Sequence, residues 1–435
     1  MKIKVFQFID ILLLLCVVSL SVFGIVFIYS AGLSNPRKIG DIYTKQIVWA
    51  SIGFVLMLLF AFFDYRKLFK WAKHLFVLTC LVLIFTRLFG VSIKGAKSWI
   101  GFHGLGVQPS EFSKIIFTIF LAWYLTNSRN ENPLIRFLIA CGIALIPVGL
   151  IMLQPDLGTS LVFFPILIFM MYMGGIHKRY IFMLLLFVAF TGLFTVLPIW
   201  EVKISNTSVQ LVHLLTNLKL RLLLIGLTGF LCVFSIVSYW LFSDSRYFYW
   251  IAYFSGIICA SLVSSYGAGK FLKEYQIMRL IIFINPYSDP TRHGWNILNS
   301  LRAIGNGGSS GWGVGLGPQS QHGYLPEQHT DFIFSILSEE LGFFGSLLIF
   351  MIYLVFFLRI VYIIRNSTNE FGTLIASGLL AMFFFHFVEN IGMVMGVMPI
   401  TGIPLMFLSY GGSSLWTAMI SVGLVMSVRS RKYDF

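Results

Sequence analysis

ILLLLCVVSLSVFGIVFIY, residues 11–29, runs for nineteen residues without a charge. About 20 apolar residues in a helix cross the hydrocarbon layer of a bilayer. Lys2 and Lys4 precede the run, and no small-x-small cleavage site closes it. It therefore reads as a retained first helix rather than a signal peptide. Similar runs recur, giving predicted spans at 8–30, 46–63, 74–90, 111–126, 134–153, 157–173, 180–198, 220–241, 247–266, 332–358, 371–397 and 413–428. The even number puts both termini on one side of the membrane. The expected fold is all-α: a polytopic helical membrane protein of about 10–12 spans.

Composition agrees. Of 435 residues, 58% are hydrophobic and 11% charged, with mean hydropathy +0.87. Soluble domains carry roughly 25% charged residues. The apolar runs are continuous, where the strands of a transmembrane barrel would alternate. The five cysteines (16, 80, 141, 232 and 259) all lie in apolar runs at no metal-like spacing, and read as small hydrophobes. The net charge of +14 comes from basic residues scattered between spans. That pattern fits the positive-inside bias and anionic lipid rather than nucleic acid.

Short basic loops orient the chain. Arg66, Lys67, Lys70 and Lys73 in residues 65–74, residues 177–179 and residues 429–432 all fall on the side of the termini, which is then cytoplasmic. The opposite side receives two longer loops, 91–110 and 267–330, that also contain Lys94, Lys97, Lys270, Lys273, Arg279, Arg292 and Arg302. The second reads as a structured loop with amphipathic, interfacial helices at 271–283 and 297–304, followed by seven glycines in residues 305–317. The whole of 1–435 reads as one transmembrane domain.

Five stretches combine polar chemistry with broken backbone. KGAKSWI (94–100) precedes QPSEFSK (108–114), where Glu111 and Lys114 stand at i, i+3 near a membrane boundary, as a functional pair or a self-neutralising one. In QPDLGT (154–159), Asp156 caps a helix or faces a polar cavity. The glycines of 305–317 let N–H groups converge on an anion, or simply make a flexible loop. LPEQHTDFIF (325–334) places Asp331 at a span's start, as a cap, a base or a metal ligand, with Glu339 and Glu340 two turns deeper. MPITGIP (398–404) and SYGGSS (409–414) interrupt apolar sequence, which at membrane depth implies a lined cavity. From these residues alone, an enzyme acting on an amphipathic anionic lipid and a transporter of one both remain open.

Taken in order, GAKSWI, QPSEFSK, QPDLGTSLVF, AIGNGG, LPEQHTDFIF with SEELG, and MPITGIP with SYGGSS resemble the SEDS family (shape, elongation, division and sporulation) from about residue 94 to the C-terminus. MPITGIP after NIGMV looks more like the RodA branch than the FtsW branch. The family pattern has ten spans, so residues 200–266 would hold an additional helix pair. The resemblance implies a peptidoglycan glycosyltransferase that polymerises lipid II at the outer face of the bacterial cytoplasmic membrane for elongation and rod shape. The alternatives are a division polymerase, a lipid II flippase and a non-catalytic scaffold. It implies Asp331 as the catalytic carboxylate, with a divalent cation such as Mg²⁺ bridging it to diphosphate. It implies substrate contacts among Lys94, Lys97, Trp99, Glu111, Lys114, Asp156, Arg279, Arg302 and Glu327. The partners implied are a class B penicillin-binding protein and the elongation machinery.

Overall fold

A computed structural model describes all residues except 1–8, 34–35, 94–95, 103–104, 204–209, 243–245, 272–273, 291–293, 326 and 432–435. In chain order the helices are α1 (Ile11–Gly32), α2 (Pro36–Phe62), α3 (Lys67–Phe89), α4 (Pro109–Asn127), α5 (Pro133–Leu153), α6 (Leu157–Leu161), α7 (Phe163–Met173), α8 (Lys178–Lys203), α9 (Gln210–Thr216), α10 (Leu218–Leu241), α11 (Arg246–Phe271), α12 (Glu274–Ile284), α13 (Trp295–Asn306), α14 (Pro318–Gln321), α15 (Ile333–Asn366), α16 (Glu370–Val394) and α17 (Gly412–Ser430). Every predicted span is helical, 157–173 being divided between α6 and α7. Among the described residues, nine helices are long and apolar enough to cross a membrane. The other three predicted spans coincide with α4, with α6 and α7 together, and with α17.

The chain divides into two compact units, Met1–Ile176 with Asn296–Phe435, and His177–Trp295. In the first, α16 packs against α4, α7 and α15, and α17 lies along α2. Residues 412–428 of α17 are buried at nearly every position. Its serines, its glycines and Thr417 suit it to this central place, because small side chains let helices approach closely. The outer helices instead turn large apolar side chains outward, such as Leu15 and Val22 on α1, as lipid contact requires.

In the second unit, α11 packs on α10 and α8. The buried Arg221 of α10 ties the pair, reaching Leu262 O at 3.2 Å and Ser265 Oγ at 2.6 Å on α11.

The two ends of the first unit differ in chemistry. At one, Arg359 and Arg429 meet Asp10, Arg431 meets Asp64 at 3.3 Å, and Arg129 meets Glu370 at 3.3 Å. At the other, Gln328 Nε2 donates to Ala31 O at 2.7 Å, Gln108 N to Ser413 Oγ at 2.9 Å, and Tyr410 N to His329 O at 2.9 Å. Asp331 belongs to this second end.

Residues 91–110, expected as a loop, contain strands. They fold into an antiparallel meander: β1 (Val91–Ile93), β2 (Ala96–Phe102) and β3 (Leu105–Val107), with Val91 opposite Trp99 and Ile100 opposite Val107. Of the two helices expected in the long loop, 271–283 corresponds to α12 and 297–304 to α13.

Candidate active site

Helix α15 breaks once, at Gly342, whose φ of 65° and ψ of −161° suit only glycine. The glycine-rich loop wraps this break. Trp312 N and Gly313 N donate to Glu339 O and Glu340 O (3.2 and 2.9 Å), while Phe343 N and Phe344 N donate to Gly308 O and Ser309 O (2.9 and 3.2 Å). Gln319 N and Ser320 N bind the Glu339 carboxylate at 2.8 and 3.1 Å. The anion that these N–H groups gather is thus the protein's own Glu339. Glu340 accepts from Ser30 Oγ and from Ser320 Oγ. Both buried carboxylates therefore have neutral donors that fix the loop to α15.

Asp331 sits just ahead of α15. The cap position belongs to Phe332, which makes no side-chain cap bond, so Asp331 is not the cap of this helix. Asn390 Nδ2 holds its backbone, donating to Asp331 O at 2.9 Å and to Ile403 O at 2.8 Å. One amide thereby joins the start of α15 to the segment 398–404. In that segment Gly402 has φ +75°, and a Cβ there would lie 3.3 Å from Asp331 Oδ2. The Asp331 side chain remains partly exposed. Four residues earlier, Glu327 takes a left-handed φ of 55° and accepts from Thr330 Oγ1 at 3.4 Å.

The segment 398–404 is held from two further sides. Thr401 Oγ1 donates to Glu389 of α16. Gly158 at the start of α6 lies against the Thr401 carbonyl, 2.7 Å from where a Cβ would stand. Asp156 caps α6 through Thr159 N at 3.1 Å, and its Oδ2 also accepts from Thr159 Oγ1 (2.7 Å) and Gln108 Nε2 (2.8 Å). Capping and a polar network are both realised at this residue.

Glu111 and Lys114 form a buried pair. Lys114 Nζ reaches both Glu111 carboxylate oxygens at 2.9 Å. It also lies 3.2 Å from His386 Nε2 on α16. An ammonium only donates, so Nε2 accepts and the ring proton sits on Nδ1, which donates to Pro404 O at 2.9 Å. All three ammonium protons are satisfied, and the triad anchors the end of segment 398–404. The side-chain exposure of Lys114 is 0% and of Glu111 5%.

The other predicted residues lie as follows. Lys97 is exposed on β2, and Trp99 on the same strand covers Gly106 of β3. Arg302, exposed on α13, donates to Asn299 Oδ1 at 3.1 Å. Arg279 lies on α12 in the second unit. Lys94 is outside the described residues. Among the described residues, no three His, Cys, Asp or Glu side chains are placed to hold a metal. Asp331 offers one carboxylate, which fits Mg²⁺ only in the mode where substrate phosphates and water supply the remaining ligands.

Comparison with known proteins now decides the family. Residues 10–219 and 225–434 match the FtsW/RodA/SpoVE cell cycle protein family. The chain belongs to that family. It is 47% identical to the peptidoglycan glycosyltransferase RodA of Treponema pallidum, over 99% of this chain and 100% of that protein. It is 30% identical to the peptidoglycan glycosyltransferase MrdB of Escherichia coli K12, over 97% and 93%. A chain of a solved peptidoglycan synthase complex superposes with TM-score 0.68 at 25% identity, covering 98% of this chain and 99% of that one. Thermus thermophilus RodA shares the fold, with TM-score 0.60 at 22% identity, covering 98% and 97%. The helix pair α10 and α11, read above as additional to the FtsW/RodA/SpoVE pattern, falls mostly within the second matched stretch.

Two positioning residues escaped the sequence reading. His386 lies in the apolar run FFFHFV (383–388), where an ionisable side chain is itself a signal. Gln46 fixes the turn before α17, donating to Ser409 O at 3.3 Å and accepting from Gly411 N at 3.3 Å.

Proposed function

We propose that this chain is a peptidoglycan glycosyltransferase of the RodA branch, polymerising lipid II at the outer face of the cytoplasmic membrane during cell elongation. One observation carries the reading: a partly exposed carboxylate, Asp331, pinned beside a broken-backbone segment at the end of the bundle away from the arginine-rich end. The positive-inside rule puts the arginine-rich end, with both termini, in the cytoplasm. The identity to RodA and MrdB glycosyltransferases supports the activity.

In the proposed reaction, the 4-hydroxyl of a GlcNAc unit attacks C1 of the donor sugar. The new C1–O4 bond forms as the bond from C1 to the diphosphate oxygen breaks, and undecaprenyl diphosphate leaves with its electron pair. Asp331 takes the hydroxyl proton. Lys97 and Arg302 lie at the same end, as does Lys45 on α2, to counter the charge of the leaving group. A divalent ion held by Asp331 and the diphosphate would add further neutralisation. Asn390 of α16 ties the Asp331 backbone to segment 398–404, and Gly402 leaves the carboxylate its space. The partner proposed is a class B penicillin-binding protein within the elongation machinery. A crosslinking activity accompanies the similar chain in the solved synthase complex, whose polymerization and crosslinking are structurally coordinated.

The test is purified protein with lipid II alone in detergent. Glycan strands are expected without any added polymerase. Lipid II that crosses a bilayer containing the protein, with no strands formed, would overturn the reading in favour of a flippase.

Gly402→Ala gives a second check. A left-handed φ costs a non-glycine residue roughly 1–2 kcal/mol, and the new methyl group presses on the Asp331 carboxylate. Polymerisation should fall at least about tenfold, while the protein still purifies as a folded species. Wild-type turnover in this variant would show that segment 398–404 does not position Asp331.

A further inference from the structure

At the arginine-rich end, the start of α1, the last turns of α15 and the end of α17 meet around Asp10. This carboxylate is buried and caps α1, with Oδ1 accepting from Leu13 N at 3.2 Å. Arg359 Nε lies 3.1 and 2.8 Å from its two oxygens. Arg429 Nη1 lies 3.1 Å from Oδ2 and 3.3 Å from Ile9 O. Two guanidinium groups thus share one carboxylate, leaving the cluster with a net charge of +1. A guanidinium has five N–H donors in a fork suited to phosphate. Among the described residues, these contacts engage one nitrogen of each arginine.

A recess of about 340 Å³ opens at the cluster, lined by Asp10, Arg359 and Arg429 together with Ile11, Leu12 and Leu15. Leu12 is 42% and Leu15 57% exposed, on the outward face of a spanning helix. Beyond the break at Gly342, residues 343–359 of α15 rise about 24 Å toward Arg359 at 1.5 Å per residue. The recess therefore lies at the arginine-rich end of the bundle, away from Asp331, where the positive-inside bias puts anionic headgroups within reach.

We propose that this recess binds an anionic phospholipid. The phosphodiester sits on Arg359 and Arg429, and an acyl chain lies along Leu12 and Leu15. A headgroup with a net charge of −1 complements the cluster, whereas a choline or ethanolamine headgroup adds a cation next to it. The bound lipid would join the ends of α1, α15 and α17 to that leaflet. The proposal does not depend on the chemistry at Asp331.

The test is native mass spectrometry of the delipidated full chain, titrated with phosphatidylglycerol, phosphatidylcholine or glycerol 3-phosphate. Wild type should bind one phosphatidylglycerol about tenfold more tightly than phosphatidylcholine. Arg429→Gln leaves Arg359 to balance Asp10. It should weaken phosphatidylglycerol about tenfold, the scale of one hydrogen bond to a charged group, with phosphatidylcholine unchanged. Leu15→Trp fills the recess without touching a charge and should also weaken phosphatidylglycerol, so it decides the matter if Arg429→Gln does not fold. Unaltered phosphatidylglycerol binding in a folded Arg429→Gln, or in Leu15→Trp, would overturn the proposal. So would glycerol 3-phosphate displacing the lipid at equal concentration, since the site would then hold a free anion.

Discussion

Asp331→Asn should abolish lipid II polymerisation in a protein that still folds and inserts. A positioned base contributes a factor of about 10² to 10⁴, so the expected loss is at least two decades. The substitution keeps size and shape. The helix that follows is capped by Phe332 without a side-chain bond, and the Asn390 contact goes to the Asp331 backbone, which Asn retains. Thermal unfolding in detergent should therefore shift little while strand formation disappears. A lowered melting temperature with most activity retained would instead mark Asp331 as a structural residue.

The second large effect is expected at the buried pair. Lys114→Gln leaves the Glu111 carboxylate at 5% side-chain exposure without its ammonium. Removing one partner of a buried pair costs about 3–5 kcal/mol, because the remaining charge is stranded. Glu111→Gln strands the ammonium in the same way, and either single change also disturbs the His386 bridge to Pro404. The double Glu111→Gln/Lys114→Gln removes both charges and should be more stable than either single variant. Equilibrium unfolding of all four proteins gives the coupling directly. Strictly additive losses would contradict the pairing. A stable double variant without activity would assign Lys114 a further role toward substrate diphosphate.

Much of this fold can be read from apolar periodicity, because a bilayer admits so few backbone solutions. Each of the twelve predicted spans is helical, 157–173 as the two helices α6 and α7 and the others as one helix each, including α17, whose small residues suit its place at the core. The meander at 91–107 was hidden for a physical reason. Its strands are of three, seven and three residues, and their order arises from pairing rather than from any one segment's pattern.

At the site, a carboxylate before a span and a glycine-rich loop stand out in sequence, but their partners do not. Nothing in residues 305–317 reveals that their neighbours' N–H groups serve Glu339, 20 residues onward from Gln319. Nor does the spacing of Lys114 and His386 reveal their contact, which depends on α4 lying against α16. Arg279 shows the limit from the other side. It shares a predicted loop with Arg302, yet the two lie in different units.

Polymerisation at the outer face requires Asp331 on that face of the membrane, and thiol labelling reads this directly. In a background lacking Cys16, Cys80, Cys141, Cys232 and Cys259, single cysteines replace Lys97 and Ser309 at the Asp331 end and Lys70 at the arginine-rich end. All three positions are exposed. With an impermeant reagent on intact protoplasts, Lys97→Cys and Ser309→Cys should be labelled, and Lys70→Cys only after lysis. Labelling of Lys70→Cys on intact protoplasts, with Lys97→Cys and Ser309→Cys protected, would place Asp331 in the cytoplasm and contradict polymerisation at the outer face.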